Sequence, residues 1–483
     1  MSRRSLSLRG QSRHGAKNSP KKWSRRRGGA PHERRLLFEP LESRRMLTIF
    51  FTVTNTDDSG PGSLREAILS ANSATDDVTI QFAIPASAPH FEDVDSALPG
   101  GDADPDAFVI SPLSPLPDLN NPAYPITLDG QSQAIWSGSD TNPFGPEIVL
   151  NGSQAGWSDG LWIGSSGNRV IGLNIQQFAR HGVFIGGAGN VLTQNYIGTD
   201  ATGTVARGNQ DCGIVVWGGA DNQIGSTPDL RNVISGNAND GIWLDGGSQF
   251  TQVLGNHVGT NAAGTGEVPN GLDGIRVADA WHTTLGAPNL GNLLSGNTWS
   301  GISTWGMGGV TVQGNFIGTD AGGTAAVPNH GWGIYVAGGW GYQIGGTTSG
   351  SGNVISGNDR VGIVLHSGAT RMTIQGNRIG TDVTGQTAVP NQQAGVALHD
   401  ATDNLIGGTT AEARNIISGN RDDGVHLSGF GVTRNVVQGN YIGTDASGTR
   451  ALGNVDQGVQ IINAPATRSS TTRSPAMVGT DSN

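Results

Sequence analysis

Short runs of alternating character punctuate the chain. GIVV begins at Gly213, GIWL at Gly241, GIRV at Gly274, GIYV at Gly333, GIVL at Gly362 and GVHL at Gly424. The positions flanking the third residue are mostly aliphatic, while the third itself wanders through Trp162, Phe184, Val215, Trp243, Arg276, Ser303, Tyr335, Val364, Ala397 and His426. Such a period of two predicts a β-strand with one face inward. No window beyond residue 75 sustains a helical period.

The strands sit inside a longer repeat. IGTD at Ile197 returns as VGTN at Val258 and again as IGTD at Ile317, Ile379 and Ile442, at intervals of 61, 59, 62 and 63 residues. Between them ISGN at Ile234 returns at Leu294, Ile355 and Ile417. A fixed period of this kind predicts a solenoid. The glycines that open the strands (Gly160, Gly182, Gly213, Gly241, Gly274, Gly301, Gly333, Gly362, Gly395, Gly424 and Gly458) mark eleven coils of roughly 22–34 residues. A coil that short, with three strand-like pieces and no helix, closes as one rung of a parallel β-helix. Eleven rungs at ~4.8 Å each make a rod on the order of 50 Å long. The aliphatic column from Ile197 to Ile442 is its predicted core. Asn195, Asn232, Asn256, Asn292, Asn315, Asn353, Asn377, Asn415 and Asn440 stand two residues before that column and share its facing. Stacked amides there would satisfy buried turn backbone. The 77 glycines are expected to supply left-handed corners.

Taken in order, residues 1–47 form a basic leader with fourteen Lys/Arg against three Asp/Glu, while the rest carries fifteen against thirty-six. An acidic body repels phosphate, so nucleic acid is not an expected partner. The leader ends in LLFEPLESRRMLT (Leu36–Thr48), which resembles an FEPLE-type export-linked motif of large secreted bacterial surface proteins. The resemblance implies a secreted or cell-surface location; the alternative is a disordered basic tail on a cytosolic protein. Cys212, the single cysteine, excludes internal disulfides and reads as a filler before a turn glycine. No stretch approaches transmembrane length. Residues 48–84 form a predicted cap. In Thr52–Asn72, Ser63 with Glu66 makes a capping box, and Leu64, Ala67, Ile68 and Ala71 share one helical face. This stretch resembles the CSLREA motif that opens many bacterial β-helix surface proteins, with Gly62 in place of its cysteine. Residues 85–125 read as an acidic, proline-rich loop, 126–463 as the repeats, and 464–483 as a disordered tail. From Ile126 to about Ile462 the repeats resemble the right-handed parallel β-helix of pectin-lyase-like proteins. The fold expected is therefore all-β, a single-stranded right-handed parallel β-helix of about eleven rungs with an N-terminal strand-plus-helix cap.

Chemistry must be separated from scaffold. Asp200, Asn261, Asp320, Asp382 and Asp445 recur in eleven-residue loops on every second rung. A position repeated five times, followed by small residues and glycine, is a turn former rather than a catalyst. The column Tyr196, Val233, His257, Leu293, Phe316, Val354, Arg378, Ile416 and Tyr441 is unusually apolar for an outward one, and those loops are expected to fold over it. Features that break the repeat carry more information. Trp162, Trp243 and Tyr335 occupy outward strand slots, and Trp217 and Trp305 lie two residues further on. An outward aromatic strip matches the flat face of a sugar ring, so these five are the candidate ligand contacts; the alternative is that they merely cover the sheet. The weak catalytic candidates are Asp240, Asp245, Asp273 and Arg276 around Trp243. Pectin-lyase-like folds abstract a proton beside a uronate with Arg or Lys, or hydrolyse with paired Asp, but no motif of those enzymes matches here. Metal candidates are the pair His366 and His399, with His426 or Asp400 as a third ligand, and Asp102, Asp104 and Asp106 for calcium. A calcium loop of the EF-hand type would need glycine at Ala107 and glutamate at Leu113. No obligate cofactor is expected, and the sequence leaves oligomeric state open. The function expected is an exported surface or matrix rod with a structural, adhesive or glycan-binding role. Its rival is a polysaccharide lyase or glycoside hydrolase acting on acidic polysaccharide.

Overall fold

The computed structural model describes residues 48–103, 106–306 and 308–470, and the leader lies outside them. Three long sheets of fourteen, eleven and thirteen strands run side by side, each taking one strand from successive coils. Within them every pairing is parallel except Phe91–Glu92 against Ala107–Ile110. The GI-x-V strands, from Leu161–Ile163 to Val459–Ile462, make the eleven-stranded sheet. The protein is a parallel β-helix.

The predicted aliphatic column forms the inner face of the thirteen-stranded sheet. Ile197 pairs with Ile234, Ile234 with Val258, and so on in register to Ile442. All nine residues are fully buried, within one interior cluster that runs from Val53 to Ala464. Beside the column, the side-chain amide of each ladder asparagine donates to Oδ1 of the next at 2.9–3.1 Å, from Asn195 to Asn440. The second hydrogen goes to a backbone carbonyl, as from Asn292 to Val253 at 2.8 Å. A second ladder of the same design, from Asn209 through Asn237, Asn270, Asn297, Asn329, Asn358, Asn391 and Asn420 to Asn454, runs at 2.9–3.0 Å. It draws alternately on ISGN and on the ends of the eleven-residue loops, so neither motif alone reveals it.

The strand-opening glycines serve a purpose other than the one expected. Left-handed backbone belongs to other glycines, such as Gly198 and Gly236. At Gly213, Gly241 and Gly274, a Cβ would lie 2.7 Å from the carbonyl oxygen of the equivalent glycine one coil on. Close approach of coil to coil, not positive φ, excludes a side chain there.

The eleven-residue loops close on their own acids. Asp382 Oδ1 accepts from the amides of Gln386 and Thr387 at 2.9 and 3.2 Å, and Asp200, Asn261, Asp320 and Asp445 repeat the arrangement. Each loop also bonds the next, as Ala321 N to Gly264 O at 2.9 Å and Val383 N to Gly323 O at 2.8 Å. They cover the apolar column: a Cβ on Gly323 would meet the Phe316 ring at 2.5 Å, and one on Gly448 the Tyr441 ring at 2.7 Å. Burial opposes ionisation of Asp382, but the amides of Gln386 and Thr387 outweigh it and hold the carboxyl below its usual value. A depressed folded-state pKa contributes stability above the unfolded value, which disappears as pH falls through the folded one. Asp382→Ala is therefore expected to cost about 1–2 kcal/mol at pH 7 in urea unfolding, with the difference from wild type shrinking below about pH 4.

At the N-terminus, Ser63 Oγ accepts from Glu66 N at 3.3 Å and starts the helix Leu64–Asn72. Its buried residues are the four expected, and they join the interior beside Ile49–Val53 and Val78–Phe82. Four expectations are corrected. The solenoid begins before Ile126, because Ile49–Val53 and Val78–Phe82 are the first strands of the fourteen-stranded sheet. Residues 85–125 are not all loop: Ala107–Ile110 is a fully buried strand paired with Ile148–Asn151, hidden in the sequence by its acidic and proline-rich flanks. A six-residue helix, Ser132–Ser137, interrupts the strand pattern. The repeat also runs past 463, since Arg468–Ser470 pairs with Val436–Gln438.

Candidate functional site

The outward face of the eleven-stranded sheet gathers most of the non-repeating side chains. Register aligns one row as Trp162, Phe184, Val215, Trp243, Arg276, Ser303, Tyr335, Val364, Ala397 and His426. A second row, two residues further along, holds Trp217 beside Asp245, and then Trp305, Ala337 and His366. Trp162, Trp217 and Trp305 are 39%, 48% and 48% exposed, whereas Trp243 and Tyr335 are half-buried. The rings brace one another. Trp217 meets Trp243 edge-on at 5.7 Å, Trp305 meets Tyr335 at 5.8 Å, and Trp162 lies 4.6 Å from Phe184. Trp332, stacked on Tyr335 at 4.7 Å, and Trp299, 6.1 Å beyond it, extend this cluster. Sequence reasoning passed over both because they lie in the turns before the strands, outside the outward slot.

Along the edge of this face, the residue before the opening glycine is an aspartate in four of the eleven coils. Asp159, Asp240, Asp273 and Asp423 each use Oδ1 to accept the amide of the equivalent residue one coil on, at 2.9–3.1 Å. Oδ2 then meets a side chain: Arg180 at 3.0 Å, Arg276 at 3.9 Å, Ser303 at 2.5 Å and His426 at 2.8 Å respectively. The structure thus brings together Asp240, Asp273 and Arg276, with the Arg276 guanidinium 5.4 Å over the Trp243 ring. Asp245 stands apart in the second row, its carboxylate taken by the Gly246 amide at 2.6 Å. Burial pushes Asp240 up to about 7, and the neighbouring Asp273 charge adds to the shift. Such a carboxyl is a possible proton donor. At 2% exposure, however, Asp240 lies beneath the surface, and both oxygens of Asp273 are engaged. Its geometry repeats that of Asp159 and Asp423, which makes it a brace between coils.

His366 and His399 neighbour each other, ring centroids 6.2 Å apart, and His426 lies 5.8 Å beyond His399. Their Nδ1 atoms contact Ser367 Oγ, Ser428 Oγ and Asp423 Oδ2. Register places His366 and His426 two coils apart, too far to share one ion. In the acidic loop Asp104 lies outside the described residues, while the Asp102 amide donates to Asp95 at 3.1 Å. Asp106 groups instead with Asp93 and Asp95, carboxylate oxygens within 4.8 Å of one another. Burial, together with the charges of Asp95, Asp93 and Asp102, raises the Asp106 carboxyl. A cavity of about 450 Å³, lined by Ile135, Phe144, Glu147, Tyr196 and Arg231 among others, opens elsewhere, and no predicted site residue lines it. Among the described residues no helix is long and apolar enough to cross a membrane.

No family profile and no curated protein matches the sequence. Among solved structures, the Dettilon tailspike protein superposes with a TM-score of 0.43 at 13% identity, over 79% of this chain and 69% of that one. The Azotobacter vinelandii mannuronan C-5 epimerase AlgE6 A-module gives 0.41 at 12% identity, over 86% and 99%. A double mutant of the periplasmic alginate epimerase AlgG gives 0.43 at 12% identity, over 78% and 81%.

Proposed function

We propose that the protein is an exported β-helix of the cell surface or surrounding matrix that holds an extracellular glycan along the outward face of the eleven-stranded sheet without cleaving it. The observation that carries this is the pair of half-exposed indoles, Trp217 and Trp305, each held against a half-buried ring. Aromatic faces fixed in advance meet pyranose rings with little ordering cost. Asp245 beside Trp217, and His366 one coil past Ala337 in the Trp305 row, supply polar groups for hydroxyls. The FEPLE-like and CSLREA-like stretches support export. Replacing both Trp217 and Trp305 by alanine is expected to weaken retention on a glycan affinity matrix at least tenfold, about 1.4 kcal/mol. Unchanged retention of the folded double variant contradicts the proposal.

The rival reading, a polysaccharide lyase or hydrolase, is favoured by the raised carboxyl of Asp240 beside Asp273. Incubation with polyuronates and neutral glycans separates the two. Binding without release of new chain ends is expected. Release that disappears in Asp240→Asn establishes the rival.

A further inference from the structure

Between Asp159 and Asp240 in the position before the opening glycine lie two adjoining coils whose side chains are metal-ligating but not acidic. They are His181 and Cys212, and Asp211 precedes the cysteine, which is the only one in the chain. We infer that His181, Asp211 and Cys212 bind a borderline-soft divalent cation of the zinc type.

Three ligand atoms, one from each residue, lie within 4.8 Å of one another. Asp211 Oδ2 is 3.7 Å from His181 Nδ1, and Asp211 Oδ1 is 3.5 Å from Cys212 Sγ. Ligands at bond lengths of about 2.0–2.3 Å around a tetrahedral ion stand roughly 3.3–3.8 Å apart, the range of these two distances, one to each oxygen of the Asp211 carboxylate. His181 Nδ1 accepts the Cys212 amide at 3.3 Å, which places its lone pair, not a proton, in this corner. A cation takes that lone pair in exchange for a long hydrogen bond. Neighbours orient the ligands as outer-shell groups do: Asn239 Nδ2 donates to Asp211 Oδ1 at 2.7 Å, and the His181 amide donates to Asp159 at 3.1 Å. Asp211 is half-exposed and provides the way in, while His181 and Cys212 are 5% and 2% exposed.

Charge favours the same conclusion. Asp159, Asp211, Asp240 and Asp273 share this edge with Arg180 and Arg276, so carboxylates outnumber the guanidinium groups beside them. Burial, with Asp240 and Asp211 next to it, drives the Cys212 thiol well above its usual value, which makes it a poor free nucleophile. A cation that displaces its proton neutralises both the thiolate and a carboxylate. The sulfur–nitrogen–oxygen set selects zinc-like ions over calcium or magnesium, and three protein ligands leave a fourth position to solvent.

Cobalt(II) chloride added to chelator-treated full-length protein is the direct test. A thiolate-to-cobalt absorption band in the near ultraviolet, saturating at one equivalent and bleached by zinc chloride, is expected. Cys212→Ser should abolish the band, and His181→Gln and Asp211→Asn should each weaken cobalt binding at least tenfold. His426→Gln, in the distant histidine group, should leave it unchanged. If Cys212→Ser fails to fold, the other two ligand variants give the same reading through affinity. No thiolate band at saturating cobalt, or affinity unchanged in the folded ligand variants, overturns the site.

Discussion

Replacing Asn292 by alanine is expected to destabilise the protein by roughly 2–6 kcal/mol, because one fully buried amide serves three coils. Its Oδ1 accepts both the backbone amide and the side-chain amide of Asn256, each at 3.0 Å. Its Nδ2 donates to Val253 O at 2.8 Å and to Asn315 Oδ1 at 3.0 Å. Alanine leaves the Asn256 backbone amide and one hydrogen of its side-chain amide without an acceptor, each at about 1–3 kcal/mol, while Val253 O keeps Gly286 N and Asn315 Oδ1 keeps the amide of residue 292. Urea unfolding measures the loss, with the slope of the transition recorded alongside because stacked repeats need not unfold as one unit. A loss below about 1 kcal/mol would mean that water reaches the ladder.

Gly333→Ala is expected to cost roughly 2–3 kcal/mol, although the glycine has an ordinary backbone conformation. The added Cβ would stand 2.5 Å from Gly362 O and 2.7 Å from Ile355 Cγ2, so two coils must part to admit it. Gly368 is the control. It has φ +82° and nothing within 4 Å of a built Cβ, so alanine there carries only the backbone penalty of about 1–2 kcal/mol. Thermal melts of the two variants separate the causes. A Gly333→Ala protein no less stable than Gly368→Ala would show that contact between coils is not what excludes the side chain.

The contrast between these glycines marks what a single sequence conveys. The strand period, the aliphatic column from Ile197 to Ile442, the first asparagine ladder and the self-closing loops were all legible, because each recurs at a fixed interval. The first coils were not. Before Leu161 the strands lack the GI-x-V form, so Ile49–Val53 and Ala107–Ile110 carry no periodic mark. The second asparagine ladder alternates between two motifs, and the pattern appears only once coils are stacked. The candidate site depends still more on stacking. Asp240, Asp273, Arg276 and Trp243 were picked out by their singularity and do meet, but the sharing of each carboxylate between two coils is a property of register. Asp245 sits close in sequence yet points along another row. Trp299 and Trp332, the grouping of Asp106 with Asp93 and Asp95, and the meeting of His181 with Cys212 join residues 11 to 33 positions apart, and no local window holds such pairs.

The central claim is that equivalent side chains of successive coils lie over one another, which leaves only singular residues for recognition. Spin-label distances along the first outward row test it most directly. With Cys212→Ser as background, Trp162→Cys is paired in turn with Arg276→Cys, Tyr335→Cys and His426→Cys, which register places four, six and nine coils away. At ~4.8 Å per coil, narrow distributions near ~19, ~29 and ~43 Å are expected. Distances that fail to grow in proportion to the number of coils contradict the account.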